Sequence, residues 1–409
     1  MRAGPTGLPE GVNVRVRPPD LRIWRHTWTL LIALALVAVG AHGRAAPGPT
    51  SLRSPNPAPQ KPPEVPPTQD ARPAQPERPP ARKPWLTPLW TSALPAAPAG
   101  TPAYDATLAY VPLRNQRLAA IELASGKPAW SQEIASLDGV AAGDGLVFVS
   151  VPAAIQALAA ADGSARWRLG VEGRVKSPML WDHGWLIAVT EAGTAMAIRA
   201  NDGQVIWQKP LGAVMSVVPA LGVNRAYFAL DDGRVVARQL ATGEPIWERR
   251  LGGKPAEILV LEDRLFVGAT DNILYCLAVK DGSVKWRWRA GADVVGQPAA
   301  DHATVYFVSL DHMMRALNRH NGRQRWRQFL STRPSGGPLP FDGTTLLVAG
   351  VAAEVWAYRP KDGALEADVS APAELAAPPH AGRLSTPDRA ILVLLTLDGR
   401  MQVLVRSAS

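Results

Sequence analysis

The sequence predicts an all-β fold: an eight-bladed β-propeller of four-stranded blades, with the last blade closed by an N-terminal strand. Three observations carry this. A Gly-x-x-x-Trp signature recurs about every 40 residues. Short β-branched and aromatic runs fill the intervals. The strand count balances only if the two ends of the repeat region pair with each other.

The signature appears as SGKPAW, DGSARW, DGQVIW, TGEPIW, DGSVKW and NGRQRW. Its glycines are Gly126, Gly163, Gly203, Gly243, Gly282 and Gly322. Its tryptophans are Trp130, Trp167, Trp207, Trp247, Trp286 and Trp326. A seventh copy, DGALEA, keeps Gly363 but has Ala367 in the Trp position. Trp90, in PLWTSAL, falls in register one period before Trp130, with no Gly turn ahead of it.

Between these positions lie runs such as LVFVS (146–150), WLIAVT (185–190), AYFAL (226–230), RLFVG (264–268), TVYFVS (304–309), TLLVAG (345–350) and AILVLL (390–395). Each is followed by a turn and a second alternating run, the pattern of short strands joined by tight turns. One period accommodates four strands of about five residues, one propeller blade. Beyond position 367 the chain supplies only three more strands, ending in RMQVLVR (400–406). The missing outer strand is expected at 87–94, because closing the ring removes an open sheet edge that would invite aggregation.

Ten residues before each signature position stand Ala120, Ala157, Ala197, Ala237, Cys276, Ala316 and Ala357. An indole can cover a bare glycine peptide and a shallow alanine pocket, so each Trp is expected to bind one blade to its neighbour. Ala367 marks the junction expected to be loosest. Cys276, the only cysteine, occupies a small buried position and is expected to be inert.

The full unit resembles the pyrroloquinoline-quinone-type propeller repeat, whose docking motif is A-x-D-x-x-T-G-x-x-x-W. ARQLATGEPIW (237–247) and AIELASGKPAW (120–130) match it most fully, with Gln239 and Glu122 in the Asp position. The resemblance covers about residues 86–406. It implies the propeller fold, which quinoprotein dehydrogenases share with non-enzymatic scaffolds similar to the BamB-like outer-membrane assembly proteins.

The formal charge is +9, of which +7 falls in residues 1–84 and +2 in the remainder, so the basic balance is no argument for nucleic-acid binding by the propeller. Residues 1–26 form a basic leader. Residues 27–43 contain the apolar run TWTLLIALALVAVGA, short for a membrane span and followed by small residues. They read either as a cleaved signal peptide or as an uncleaved inner-membrane anchor, and both place the rest outside the cytoplasm. No Cys follows the run, a departure from lipid-anchored BamB-like proteins. Residues 44–84, with 14 prolines, read as an extended linker. The propeller is assigned to 85–409.

The chemistry-bearing residues do not converge. Asp182-His183, Asp301-His302 and Asp311-His312 are dispersed among turns and read as turn residues rather than ligands. No adjacent Cys pair and no haem-attachment motif occurs in the sequence. No cofactor is expected. One basic cluster remains, Lys285, Arg287 and Arg289 along one outer strand and Arg323, Arg325 and Arg327 along the next. Period two would put each set on one face, as edge protection or as a docking patch. The function expected is a monomeric, non-catalytic exported scaffold that binds envelope proteins. A quinone-dependent oxidoreductase and a ligand-sensing ectodomain are the alternatives.

Overall fold

The computed structural model describes residues 85–407 except 136, 352, 386 and 387. Residues 1–84, with the leader, the signal or anchor and the linker, lie outside the described residues. The described chain is all β, with 32 strands in eight four-stranded antiparallel sheets and no helix. Seven blades are continuous in sequence, at 103–133, 139–170, 180–210, 220–250, 255–289, 294–329 and 339–370. The eighth takes three strands from 380–406 and its outer strand, Leu86–Ala93, from the other end of the chain. Leu86 pairs with Arg406 and Ala93 with Arg400.

Burial follows strand position. The second and third strands of each blade are almost wholly buried, for example Leu146–Val151 and Ala154–Ala159. They read as near-continuous apolar runs because neighbouring blades cover both of their faces. Outer strands such as Ala165–Gly170, Val284–Arg289 and Gln324–Phe329 alternate between exposed and half-buried residues. The core is therefore a ring of clusters, each shared by two adjacent blades. Phe228, Ile187 and Trp207 pack together across blades 3 and 4, and Phe266, Cys276 and Phe307 across blades 5 and 6.

The two faces of the ring differ. On one, each connection between blades is hydrogen-bonded to the turn between the second and third strands of a blade it adjoins. Glu191 N–H donates to the Arg174 carbonyl, Asp231 N–H to Val214, Thr270 N–H to Lys254 and Leu310 N–H to Asp293. The other face carries the first-to-second-strand turns and the Gly turns of the signature.

Candidate functional site

Each blade carries one row of side chains across its three outer strands. In blade 1 the row is Tyr110, Ala120 and Trp130, and in blade 2 Phe148, Ala157 and Trp167. Blades 4, 5 and 6 repeat it as Tyr227-Ala237-Trp247, Phe266-Cys276-Trp286 and Tyr306-Ala316-Trp326. The ring centroids within these five rows lie 5.8–5.9 Å apart, reaching over the small central residue. The alanine is small because aromatic groups flank it on both sides. These second-strand aromatics were missed in the sequence. Their signal is an aromatic nine or ten positions before the small residue.

The glycine under each indole belongs to the signature of the following blade. Trp90 lies on Gly126, Trp130 on Gly163, Trp167 on Gly203 and Trp207 on Gly243. Trp247, Trp286 and Trp326 lie likewise on Gly282, Gly322 and Gly363. A Cβ on any of these glycines would come within 2.6–2.9 Å of the indole, and their φ values of +66° to +74° are ones side chains resist. Each indole N–H also donates across the junction at 2.7–3.1 Å, to the carbonyls of Leu123, Ala160, Ala200, Leu240, Val279, Arg319 and Pro360 in turn.

The junction of blades 7 and 8 is built differently. Ala367 replaces the indole, and the eighth blade has no Gly turn because its third and outer strands come from opposite ends of the chain. Trp85 fills the junction instead. Its ring meets Phe341 edge-on at 5.4 Å, and the Arg406 guanidinium lies 5.6 Å over it while pairing with Asp342. This seam is latched by the N-terminal strand, so the expectation drawn from Ala367 alone left out the Trp85 contact.

The basic cluster is less regular than period two suggested. In every outer strand the residue before the Trp position is skipped by the ladder, a β-bulge. That residue is Lys285 in blade 5 and Arg325 in blade 6. Arg287 and Arg289 share one face of Val284–Arg289, and Arg327 is exposed on Gln324–Phe329. Arg323 lies in the turn before that strand, a correction to its placement on it. Arg325 donates to the Ala303 carbonyl at 3.3 Å. Among the described residues, none of the six basic side chains has a carboxylate partner at hydrogen-bonding distance.

The Asp-His pairs hold turns. Asp301 accepts the Ala303 and Thr304 N–H groups and the Tyr306 hydroxyl, and His183 and His312 adopt positive φ. Asp311 is bound by Arg315 at 2.6 Å, Ser309 and the Gly291 N–H. Burial pulls its carboxyl upward, but these donors outweigh burial and hold it down at about 2. Cys276 is fully buried, and burial pushes its thiol up. Among the described residues no group of three His, Cys, Asp or Glu stands together.

A family model described as outer membrane protein assembly factor BamB matches residues 114–258, 250–334 and 315–405. This chain belongs to the BamB family. Among its relatives, outer membrane protein assembly factor BamB of Yersinia pestis is 26% identical over 283 residues, covering 61% of this chain and 71% of that protein. The crystal structure of BamB from Moraxella catarrhalis superposes with a TM-score of 0.64 at 19% identity, covering 78% of this chain and 99% of that one. The quinoprotein alcohol dehydrogenase PedH of Pseudomonas putida is 25% identical over 205 residues, covering 44% of this chain and 34% of that enzyme. The propeller is thus of the BamB type, and the sequence likeness to PedH covers a third of that enzyme's length.

Proposed function

We propose that this protein is a non-catalytic, extracytoplasmic propeller scaffold that holds envelope proteins together, exported by residues 27–43 and tethered to the inner membrane where that segment is retained. The observation that supports it best is the rim of blades 5 and 6. There Arg287, Arg289 and Arg327 are exposed on adjacent outer strands without carboxylate partners. A rim of unpaired guanidinium groups beside free strand edges suits an acidic partner surface and backbone pairing.

Reversing Arg287, Arg289, Arg325 and Arg327 to Glu should leave the fold intact. It should weaken crosslinking to envelope partners, and the wild-type contact should fade as salt rises. Equal capture by the reversed protein would reduce the rim to edge protection.

The apolar cavity against the inner strands of blades 5 and 6 offers little to a quinone cofactor. A polycarboxylate quinone needs several cationic donors. Among the described residues, the lining of that cavity supplies only Lys254, which is bound to Asp231 at 3.0 Å and to the Ser216 hydroxyl at 2.9 Å. Dye reduction by purified protein with added quinone, calcium and an alcohol would overturn the scaffold reading.

A further inference from the structure

The inner strands of blades 5 and 6, Pro255–Leu261 and Val294–Ala300, are built unlike the rest. Their registers slip between Pro255 and Ile258 and between Val295 and Ala299, so residues 256–257 and 296–298 leave the ladder and bulge. The second bulge is wedged in place. A Cβ on Gly296 would fall 1.9 Å from the Gly337 nitrogen, and one on Gly337 would fall 2.0 Å from the Gln297 carbonyl oxygen. The two bulges help to line a cavity of about 600 Å³ whose walls are largely apolar, including Leu259, Val295, Pro338 and Pro379.

Glu257 is the one carboxylate in that lining. It is half-buried and has no side-chain or ion-pair partner among the described residues, receiving only its own backbone N–H. Burial pushes its carboxyl above the usual range. Lys254, the one cation in the lining, is committed to Asp231 and Ser216. An acid held in apolar surroundings without a partner lowers stability, and such groups in clefts mark sites where a ligand supplies the missing charge.

A second observation lies on the same face. Phe329, Val351 and Leu397 are 63%, 56% and 42% exposed, on blades 6, 7 and 8 in succession. Val351 N–H donates to the Arg333 carbonyl and Leu397 N–H to Glu374, so both adjoin the interblade connections whose later residues line the cavity. An arc of exposed large apolar side chains marks a protein contact rather than a small-molecule site.

We propose that the cavity and this arc form one docking site for a loop of a partner protein, an apolar extended segment whose lysine or arginine meets Glu257. The inference rests on the scaffold reading and gives that scaffold a second contact, which meets the rim at the Gln324–Phe329 strand. The unpaired carboxylate asks for a cation, and the proline and valine walls ask for apolar neighbours on either side of it. The exposed arc extends the contact beyond what a small amine would cover.

The test uses the full chain and capped pentapeptides of leucine and valine with lysine, norleucine or glutamate at the centre, titrated calorimetrically. The lysine peptide should bind about tenfold or more tightly than the norleucine peptide, and the glutamate peptide more weakly still. Glu257→Gln should erase that preference without lowering the melting temperature. Phe329→Ser with Val351→Ser should weaken the lysine peptide about threefold or more while keeping its preference over norleucine. Three results would overturn the proposal: no binding at millimolar peptide, a lysine preference that survives Glu257→Gln, or butylamine binding as tightly as the peptide. Photo-crosslinking of the wild type in envelopes separates the two readings. Crosslinks to envelope proteins without peptide binding would leave the scaffold and remove the cavity site, and peptide binding without crosslinks would do the reverse.

Discussion

The indole-on-glycine junction can be tested at Trp207, the most deeply buried of the docking tryptophans at 6% exposure. Its N–H donates to the Leu240 carbonyl at 2.7 Å, and a Cβ on Gly243 would fall 2.6 Å from its ring. Trp207→Ala should cost about 3–5 kcal/mol, as for large aromatic truncations in a core. Gly243→Ala carries two penalties. Holding Ala at φ +71° costs about 1–2 kcal/mol, and driving a methyl into the indole costs about 1–3 kcal/mol more. Gly145→Ala isolates the first, because Gly145 has φ +73° and open space around its Cβ position. In a Trp207→Ala background the clash disappears and only the φ penalty remains. The two substitutions should therefore couple by about 1–3 kcal/mol, the double variant being more stable than the sum of the singles. Urea unfolding followed by far-ultraviolet circular dichroism measures all four proteins. Additive costs, or equal costs for Gly145→Ala and Gly243→Ala, would refute indole docking as the source of cohesion.

Three further outcomes follow from the geometry. A chain beginning at Trp85 should melt with the full chain, while one beginning at Ala97 lacks the closing strand and should melt far lower; equal melting would refute closure by residues 86–93. Cys276→Ala should cost about 1 kcal/mol or less, since alanine stands opposite Trp in five other blades, and native Cys276 should resist thiol reagents; rapid labelling would contradict this. The Asp311 carboxyl is held at about 2 against an ordinary 3.8, so its stabilisation is present above the ordinary value and lost as pH falls from about 4 to about 2. Asp311→Asn should therefore lower stability by about 1–2 kcal/mol at neutral pH, allowing for partial solvent contact, with the difference vanishing near pH 2; a pH-independent difference in denaturant midpoints would remove the argument.

Blade number and closure were legible because both are matters of counting. A period of about 40 residues and a missing eighth outer strand leave little freedom. The direction of docking was not legible. Trp130 stands four residues after Gly126 and about one period before Gly163, and a repeat relates it equally to both. Only the fold shows that the distant glycine is the one covered. The outer-strand bulges were hidden for a different reason. A bulge is a defect in hydrogen-bond register, and the alternation through Lys285, Arg287 and Arg289 looks unbroken on paper. Glu257 was hidden by the same device. In PAEILVL it reads as a polar residue on an alternating strand, whereas the slipped ladder leaves it in the cavity wall. Trp85 carried no signature at all, because its role depends on a junction that exists only once the ends of the ring have met.

The eighth blade also has a consequence in time. Among the described strands its outer strand is the first one made, and the strand it pairs with is the last. During synthesis from the N-terminus, residues 86–93 must therefore wait, edge exposed, until seven other blades exist to receive them. Contacts of such long sequence separation form slowly, because loop-closure entropy is lost before any pairing compensates it. Closure is then the expected slow phase of refolding, and the waiting strand the part of the chain most in need of a chaperone. Weakening the latch at Trp85 should alter how fast the ring opens and shuts more than which residues it contains.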